Sequence, residues 1–545
     1  SALRPLVLLA GRRLYELAVL PYSALRDADA VCRALYRMIF SHRNMLQWQT
    51  AADAERSRPQ NTREYFKALF PCAAFGTIVL AAAVSAAIAA ARQIHNGETA
   101  GMAAAGLATA VLWLCAPLIA EKKDEKPDSY RFTAAERGRL TEIFADTWQY
   151  FEQNCTEKTS WLPPDNFQEE PYRGAAMLTS PTNIGMGLMA VVSAHDMHLL
   201  DERGMFTRLE RMVNSIEKLE KWHGHPFNWY NLRDLSLLRP RFISTVDSGN
   251  LFACLITTAC ALAECAGQAE KTSAEFAEEL KKLAARCTAI ARAMDFSVLY
   301  DNTRELFHIG CSFEEGKLTP SHYDLLASEC RLTSFSAIAF SRIGSEHWFA
   351  LSRLMCDASG GRVLKSWSGT MFEYLMPLIF FETVPYSMQF EVCRNAVLTQ
   401  ILAAAAEKPW GVSESGYYAF DDALRYQYRA FGNPELALAP GRMRSDVIAP
   451  YACVLALAVE PKAAAENLRL LCQIGAAGKY GLYEALDYGA AEKTGFAIVK
   501  SYMAHHQGMS LCAINNALNN NVLARRFMSC LLYTSPSPRD PKTSR

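Results

Sequence analysis

The chain runs to 545 residues, 50% hydrophobic and 21% charged, which is apolar material enough for a large buried core and excludes disorder as its default state. Its 56 Lys and Arg are balanced by 56 Asp and Glu, so a formal charge of zero supplies no global attraction to nucleic acid. The 16 cysteines include no C-x-x-C pair, which spells out neither a zinc framework nor a redox motif and predicts reduced, buried thiols in a cytosolic compartment.

Residues 1–67 lack a signal-peptide layout, because Arg4, Arg12 and Arg13 break the first apolar stretch; this opening predicts a piece of a longer protein. Apolar but punctuated by arginine, 2–48 predicts amphipathic helices lying in a membrane interface. Residues 68–91 carry no charge, nor do 99–120, each about the length of a bilayer-spanning helix (roughly 20 residues). The short polar connection makes 68–120 a transmembrane hairpin with both flanks on one side. Arg56, Arg58, Arg63 and Lys67 before it, with Lys122, Lys123 and Lys126 after it, place that side in the cytoplasm. A buried alanine-rich core hairpin is the alternative, since alanine inserts weakly.

After a charged linker at 121–132, the pattern from 133 to 528 is that of a soluble helical domain. Helical periodicity marks 134–152, 183–200, 206–222, 247–266, 273–294, 325–343, 348–355, 387–406, 448–458, 461–475 and 494–518. Helices in this number, joined by loops rich in Gly, Pro, Trp and Tyr, predict an all-α fold: an α/α toroid whose loops line a cleft at one end. The last stretch, 529–545, abandons the periodicity for Ser, Pro and basic residues and reads as a disordered or artefactual tail.

Several loops concentrate residues suited to sugars, whose C–H faces stack on aromatic rings and whose hydroxyls bond Asn, Asp, Arg and Glu. They are Trp161 to Asn166, Ser180 to Asn183, His225 to Tyr230 with Asn228 and Trp229, and Ser244 to Asn250 with Asp247. Ser244 or Asp247 ahead of an apolar run is equally an ordinary helix cap. Later loops set a carboxylate among apolar neighbours: Tyr323-Asp324 to Glu329 and Arg331, Trp367 to Glu373, Trp410 to Glu414, and Gly481 to Glu484, Asp487 and Tyr488. Burial would raise such a carboxyl toward neutrality, as a glycosidic acid requires. A salt bridge, for example Glu329 with Arg331 or Arg241, is the plainer alternative. His505-His506-Gln507 does not have metal-binding spacing, since adjacent helical side chains diverge by about 100°. The histidines read as site-lining, and Ser359-Gly360-Gly361 lacks the frame of a phosphate loop.

In order, the motifs SPTNIG, GHPFNWY, STVDSGNL, YDLLASE, WSGTMFEYLMP, WGVSES, VIAPYA, GLYEALDY and SYMAHHQGM resemble the glucoamylase-like region of cyclic β-1,2-glucan synthases. The resemblance extends upstream through WLPPDNFQE, the hairpin and the segment Leu46 to Glu55. It implies an (α/α)6 barrel in a multi-pass protein of the bacterial inner membrane. It also implies partner domains in the same protein, a glycosyltransferase using UDP-glucose and a phosphorylase-like domain. By motif, Glu414 is implied as the nucleophile and Glu329 as the acid/base of a retaining transferase that cyclises β-1,2-glucan chains; Glu373 and Glu484 remain competitors. Trp229, Tyr230, Trp367, Trp410 and Tyr417 are candidates to line acceptor subsites. Two carboxylates suffice for this chemistry, so no cofactor or metal is implied. A hydrolase with water as acceptor, or a silent glycan-binding module, would use the same barrel.

Overall fold

Small residues decide how the first apolar helices pack. The computed structural model describes residues 13–41, 59, 62–92, 97–124, 130–340, 342–382, 384–404, 408–490 and 495–534. The chain divides into two units, Ser1–Ser129 and Tyr130–Arg545. In the first, helices Phe70–Arg92 and Gly97–Leu114 lie against each other, and a Cβ on Gly106 would sit 2.9 Å from the Ala83 methyl. Such small contacts let two apolar backbones approach closely. The bulky side chains, Phe70, Ile78, Ile88 and Val111 among them, point outward.

Phe70–Arg92 is long and apolar enough to cross a membrane, and only 17% of its apolar window is buried. The second expected span is broken: Glu98–Leu114 and Ala116–Lys122 meet at a 47° bend and pass the same test only as a pair. Pro117 has no N–H for the Trp113 carbonyl, which accounts for the break. Ahead of them, Leu20–Tyr36 exposes Leu25, Val31 and Leu35 beside the ion pairs Arg26–Asp27 and Arg33–Asp29. The remainder of the expected interfacial region, 2–12 and 42–48, lies outside the described residues.

From Tyr130 onward, helices of two kinds alternate. Pro181–Asp196, Thr245–Ala269, Arg331–Ala339, Met371–Leu375 with its 3-10 extension Met376–Ile379, Pro450–Leu455 with Ala456–Ala458, and Ala504–Leu518 are buried on nearly all faces. Ala134–Asn154, Glu202–Lys218, Ala274–Arg292, the short Glu346–Ala350, Met388–Ala403 and Pro461–Gln473 are buried along one side. An all-round apolar helix belongs inside and an amphipathic one outside, so the first set forms an inner ring and the second an outer one. The ring closes where Ala504–Leu518 packs on Pro181–Asp196, which also packs on Thr245–Ala269. This is the α/α toroid expected from the periodicity. Thr245–Ala269 is apolar enough to pass for a membrane span, yet 83% of its window is buried in this core.

The helix expected at 206–222 is shifted to Glu202–Lys218, with Lys221–Trp222 in a strand, and three others depart further at one end, each for a local reason. The helix expected at 325 begins at Arg331, because Leu325 bridges to Ser352 and the Leu326 N–H donates to the Ser352 carbonyl, holding the preceding loop extended. The one expected at 494 begins at Ala504, because Ala497–Val499 and Ser501–Met503 pair as strands with Ala485–Asp487 and Asn166–Gln168. The one expected at 348–355 ends at Ala350, and Met355–Ala358 forms a hairpin with Gly361–Leu364. The strands, two to six residues long, zip the loops in antiparallel pairs. No disulfide forms among the described residues.

A final helix, Val522–Thr534, runs through Ser529, where the sequence sets the tail; 535–545 lie outside the described residues. Phe527 is fully buried against Phe335, Phe380 and Phe381, so this helix packs on several inner helices at once. Beside it, Arg526 donates through Nη1 and Nη2 to Asp196 at 2.7 and 2.9 Å and through Nε to Glu264 at 2.7 Å. Removing one partner of a buried pair leaves the other uncompensated, at a cost of about 3–5 kcal/mol. Arg526→Met is therefore expected to lower stability by about that amount, read from the denaturation midpoint of the purified chain.

Candidate active site

The starts of the inner helices are tied to one another by polar side chains. Ser180, Ser244 and Thr370 each cap a helix by accepting the N–H of the third residue on, Asn183, Asp247 and Glu373 respectively. Those third residues then reach sideways. Thr182 Oγ1 donates to Asp247 at 2.5 Å and accepts from Asn250 Nδ2 at 3.1 Å. Asn183 Nδ2 donates to Asp165 at 2.8 Å, which leaves its Oδ1 to accept from His505 Nδ1 at 3.1 Å. The cap reading of Ser244 is thus met, and Asp247 is tied to the start of the neighbouring helix through Thr182.

Where two of these helix starts approach, a cavity of about 200 Å³ is lined by Tyr323, Glu329, Trp367, Glu373 and Glu414, with Ile309, Ser328, Ser368 and Thr370. Trp367 is 41% exposed, an aromatic face open to a ligand. Burial, reinforced by the charges of Glu373 and Glu414, pushes the Glu329 carboxyl up to about 8. Burial likewise raises Glu414 to about 7; the Tyr428 hydroxyl, donating to its Oε1 at 3.0 Å, opposes this, while Glu373, Glu484 and Asp247 add to it. At neutral pH Glu329 therefore holds a proton, and Glu414 stands at the midpoint of losing its own. Burial thus raises both, and the Tyr428 bond is what holds Glu414 lower than Glu329, the order a general acid and a nucleophile require.

Glu373 has another task. It accepts from Ser366 Oγ, the Ser368 and Thr370 N–H groups and Thr370 Oγ1, all at 2.9–3.3 Å, completing a capping box. Burial still raises it against these bonds. Glu484 is buried elsewhere, bonded to His506 Nδ1 at 3.0 and 3.1 Å and to the Gly416 N–H, and burial pushes it up to about 7. It lines a second, polar cavity of about 480 Å³ with Asp165, Asn166, Arg173, Arg425 and Tyr428. Burial drives both His505 and His506 well below the usual imidazole range, so both rings are neutral. His506 is stacked on Tyr451 at 3.6 Å and 9°, and the Tyr451 hydroxyl donates to the Glu414 carbonyl at 3.0 Å.

Other expected residues lie away from the carboxylate cavity. Tyr230 is fully buried, its hydroxyl donating to the Glu220 carbonyl and accepting from the Phe227 N–H; it is a core residue. Arg331, buried, donates to the Tyr374 carbonyl at 2.6 Å, and Arg241 pairs with Glu314, so neither makes the anticipated bridge to Glu329. Trp410 and Tyr488 line a separate cavity of about 240 Å³, and Asn467 brackets the Trp410 backbone. Gln507 turns back to the Leu482 carbonyl, and Tyr417 packs edge-on against Phe431. Half-buried Trp229 anchors its loop through a carbonyl that accepts from Leu238, and the Asn228 N–H donates to Phe242. Half-buried Asp324 accepts the Ser352 N–H at its own carbonyl.

Tyr428, Tyr451 and Thr182 were not singled out by the sequence, whereas Asp165 lies in the first of the loops it marked. Tyr426 and Tyr428 alternate along one strand, a period-two signal that places Tyr428 opposite Gly416 and so beside Glu414. Taking a proton off Glu329 inside the cavity is costly, and the penalty is absent in the unfolded chain. It sets in as pH rises above the ordinary carboxyl range and is complete above about 8. Glu329→Gln is therefore expected to melt higher than the parent at pH 9, with the gap closing toward pH 5.

Residues 321–531 match the Glycoamylase family model, and 143–250 match a family of unknown function, DUF3131. The chain is 31% identical to the cyclic β-(1,2)-glucan synthase of Rhizobium meliloti across 96% of its own length, and it spans 23% of that relative. In fold it is similar to the endo-β-1,2-glucanase of Chitinophaga pinensis (TM-score 0.58, 17% identity, 74% of this chain and all of that one). It is equally similar to the endo-β-1,2-glucanase of Talaromyces funiculosus, solved with sophorose (TM-score 0.58, 11% identity, 74% and 91%). The chain is thus a homologue, over nearly all its length, of part of a cyclic β-(1,2)-glucan synthase, carrying a Glycoamylase-family segment in an α/α toroid like that of the glucanases.

Proposed function

We propose that this chain is a retaining glucan transferase that cyclises β-1,2-glucan chains, with Glu414 as nucleophile and Glu329 as acid/base. The observation that carries the reading is the single cavity in which Glu329, held up to about 8, and Glu414, at about 7, share walls with Tyr323 and Trp367. Glu414 attacks the anomeric carbon while the Glu329 proton passes to the departing glycosidic oxygen; the C1–O bond breaks as a glucosyl ester forms. Glu329, now ionised, takes the proton of a C2 hydroxyl at the far end of the same chain, and that oxygen displaces Glu414 to close the ring. Tyr428 stabilises the Glu414 carboxylate before attack and after release. The synthase relative supports β-1,2-glucan as substrate, the apolar hairpin supports anchorage in a bilayer, and the flanking basic residues support a cytoplasmic catalytic face.

Incubation of the full chain in detergent with linear β-1,2-glucan, followed by mass spectrometry, tests this. Products one water lighter than linear chains are expected, lost in Glu329→Gln and Glu414→Gln. Shorter linear chains alone would favour the hydrolase that the glucanase-like fold also supports, and turnover surviving both substitutions would sink the assignment of roles.

The pH profile follows from the same two groups. Glu414 must be ionised and Glu329 protonated, so kcat/KM is expected to fall below about pH 7 and above about pH 8. Tyr428→Phe removes the bond that holds Glu414 down. Its acidic limb should shift to higher pH, with kcat reduced roughly tenfold by loss of a charge-assisted hydrogen bond.

A further inference from the structure

Outside the carboxylate cavity, one group of side chains among the described residues has ligand chemistry without a role. Tyr300–Asp301, Leu306–His308 and His322–Tyr323 form a three-stranded antiparallel sheet in which His308 faces His322 and Asp301 faces Leu306. Asp301, His308 and His322 each offer a donor atom within 4.8 Å of the other two. Asp301 Oδ2 and His322 Nε2 are 3.0 Å apart, and the two imidazole rings are 4.3 Å apart, centre to centre.

We propose that Asp301, His308 and His322 bind a zinc-class divalent cation that clamps this sheet. Bonds of about 2.0–2.1 Å in a tetrahedral site separate ligand atoms by roughly 3.3 Å, so the Asp301–His322 edge is already at coordination distance. The surroundings orient the ligands as metal sites do. His308 Nδ1 lies 2.6 Å from the Thr319 carbonyl and must donate to it, which leaves the lone pair on Nε2. Asp301 Oδ1 accepts the Thr303 and Arg304 N–H groups at 2.9 and 3.1 Å, which fixes the carboxylate and leaves Oδ2 toward His322. Two imidazoles and a carboxylate are a donor set suited to zinc, with a fourth position for water. His308 and His322 are separated in sequence without a metal motif, which is why the sequence predicts no metal. The site is structural and independent of the glucan chemistry. Its nearest consequence is for Tyr323, the neighbour of His322, which lines the carboxylate cavity.

The test uses the full chain in detergent, stripped with a chelator. Titration with Co²⁺ is expected to saturate at one equivalent with visible d–d bands, and His308→Gln and His322→Gln should each weaken binding at least tenfold while far-ultraviolet circular dichroism is unchanged. Equal affinity in both folded variants, or no saturable uptake, would overturn the proposal. Should the variants fail to fold, X-ray absorption of the Zn²⁺-loaded parent decides. Two imidazoles with oxygen and no sulfur support the site, whereas a sulfur shell at about 2.3 Å would assign the metal to cysteines instead.

Discussion

The structure depends on how closely its inner helices can approach. A Cβ on Gly508 would come within 2.5 Å of the Met186 Cβ, and one on Gly249 within 1.9 Å of Thr333 Oγ1. The ring is therefore closed at backbone contact between helices with no room for even a methyl group at these points. With the helix starts held so near, the polar side chains that cap them are also brought together: Thr182 meets Asp247, and Asn183 meets His505. Close packing in the ring thus produces crowding of carboxylates at its mouth, and crowding together with burial raises Glu329 and Glu414.

That crowding gives each carboxylate a different fate. Glu373 is ringed by hydrogen-bond donors and serves the backbone. Glu484 is committed to His506 and Gly416. Glu414 has Tyr428, and Glu329 has Ser328 Oγ at 3.3 Å and its own backbone N–H. Burial raises all four, and Glu329, which also faces the charges of Glu373 and Glu414, is raised to about 8. Energy spent in keeping such groups together is a common reason for stability to be sacrificed at functional sites.

Much of the architecture was legible because the apolar pattern has one meaning in a helix. The 134–152 and 461–475 periods returned as Ala134–Asn154 and Pro461–Gln473. Errors gathered at the mouth of the toroid, where Leu325, Leu326 and Ile498, Val499 are apolar yet extended, their backbones paired with distant loops that no local period records. Motif content led to carboxylates that line one cavity, but aromatic residues proved ambiguous. Trp367 faces the cavity and Tyr230 the core, although each sits in an equally sugar-suited loop. Tyr428 was missed since its partner, Glu414, becomes a neighbour only through a hairpin register.

The last described helix has a consequence for synthesis on the ribosome. Arg526 bonds Asp196 across 330 positions of sequence, and Phe527 seats against Phe335 and Phe380. None of these contacts can form until nearly the whole toroid has emerged from the exit tunnel. The toroid is therefore completed only at the end of its own synthesis. Throughout that interval the apolar inner helices wait without their closing partner, in the condition that chaperones exist to shield.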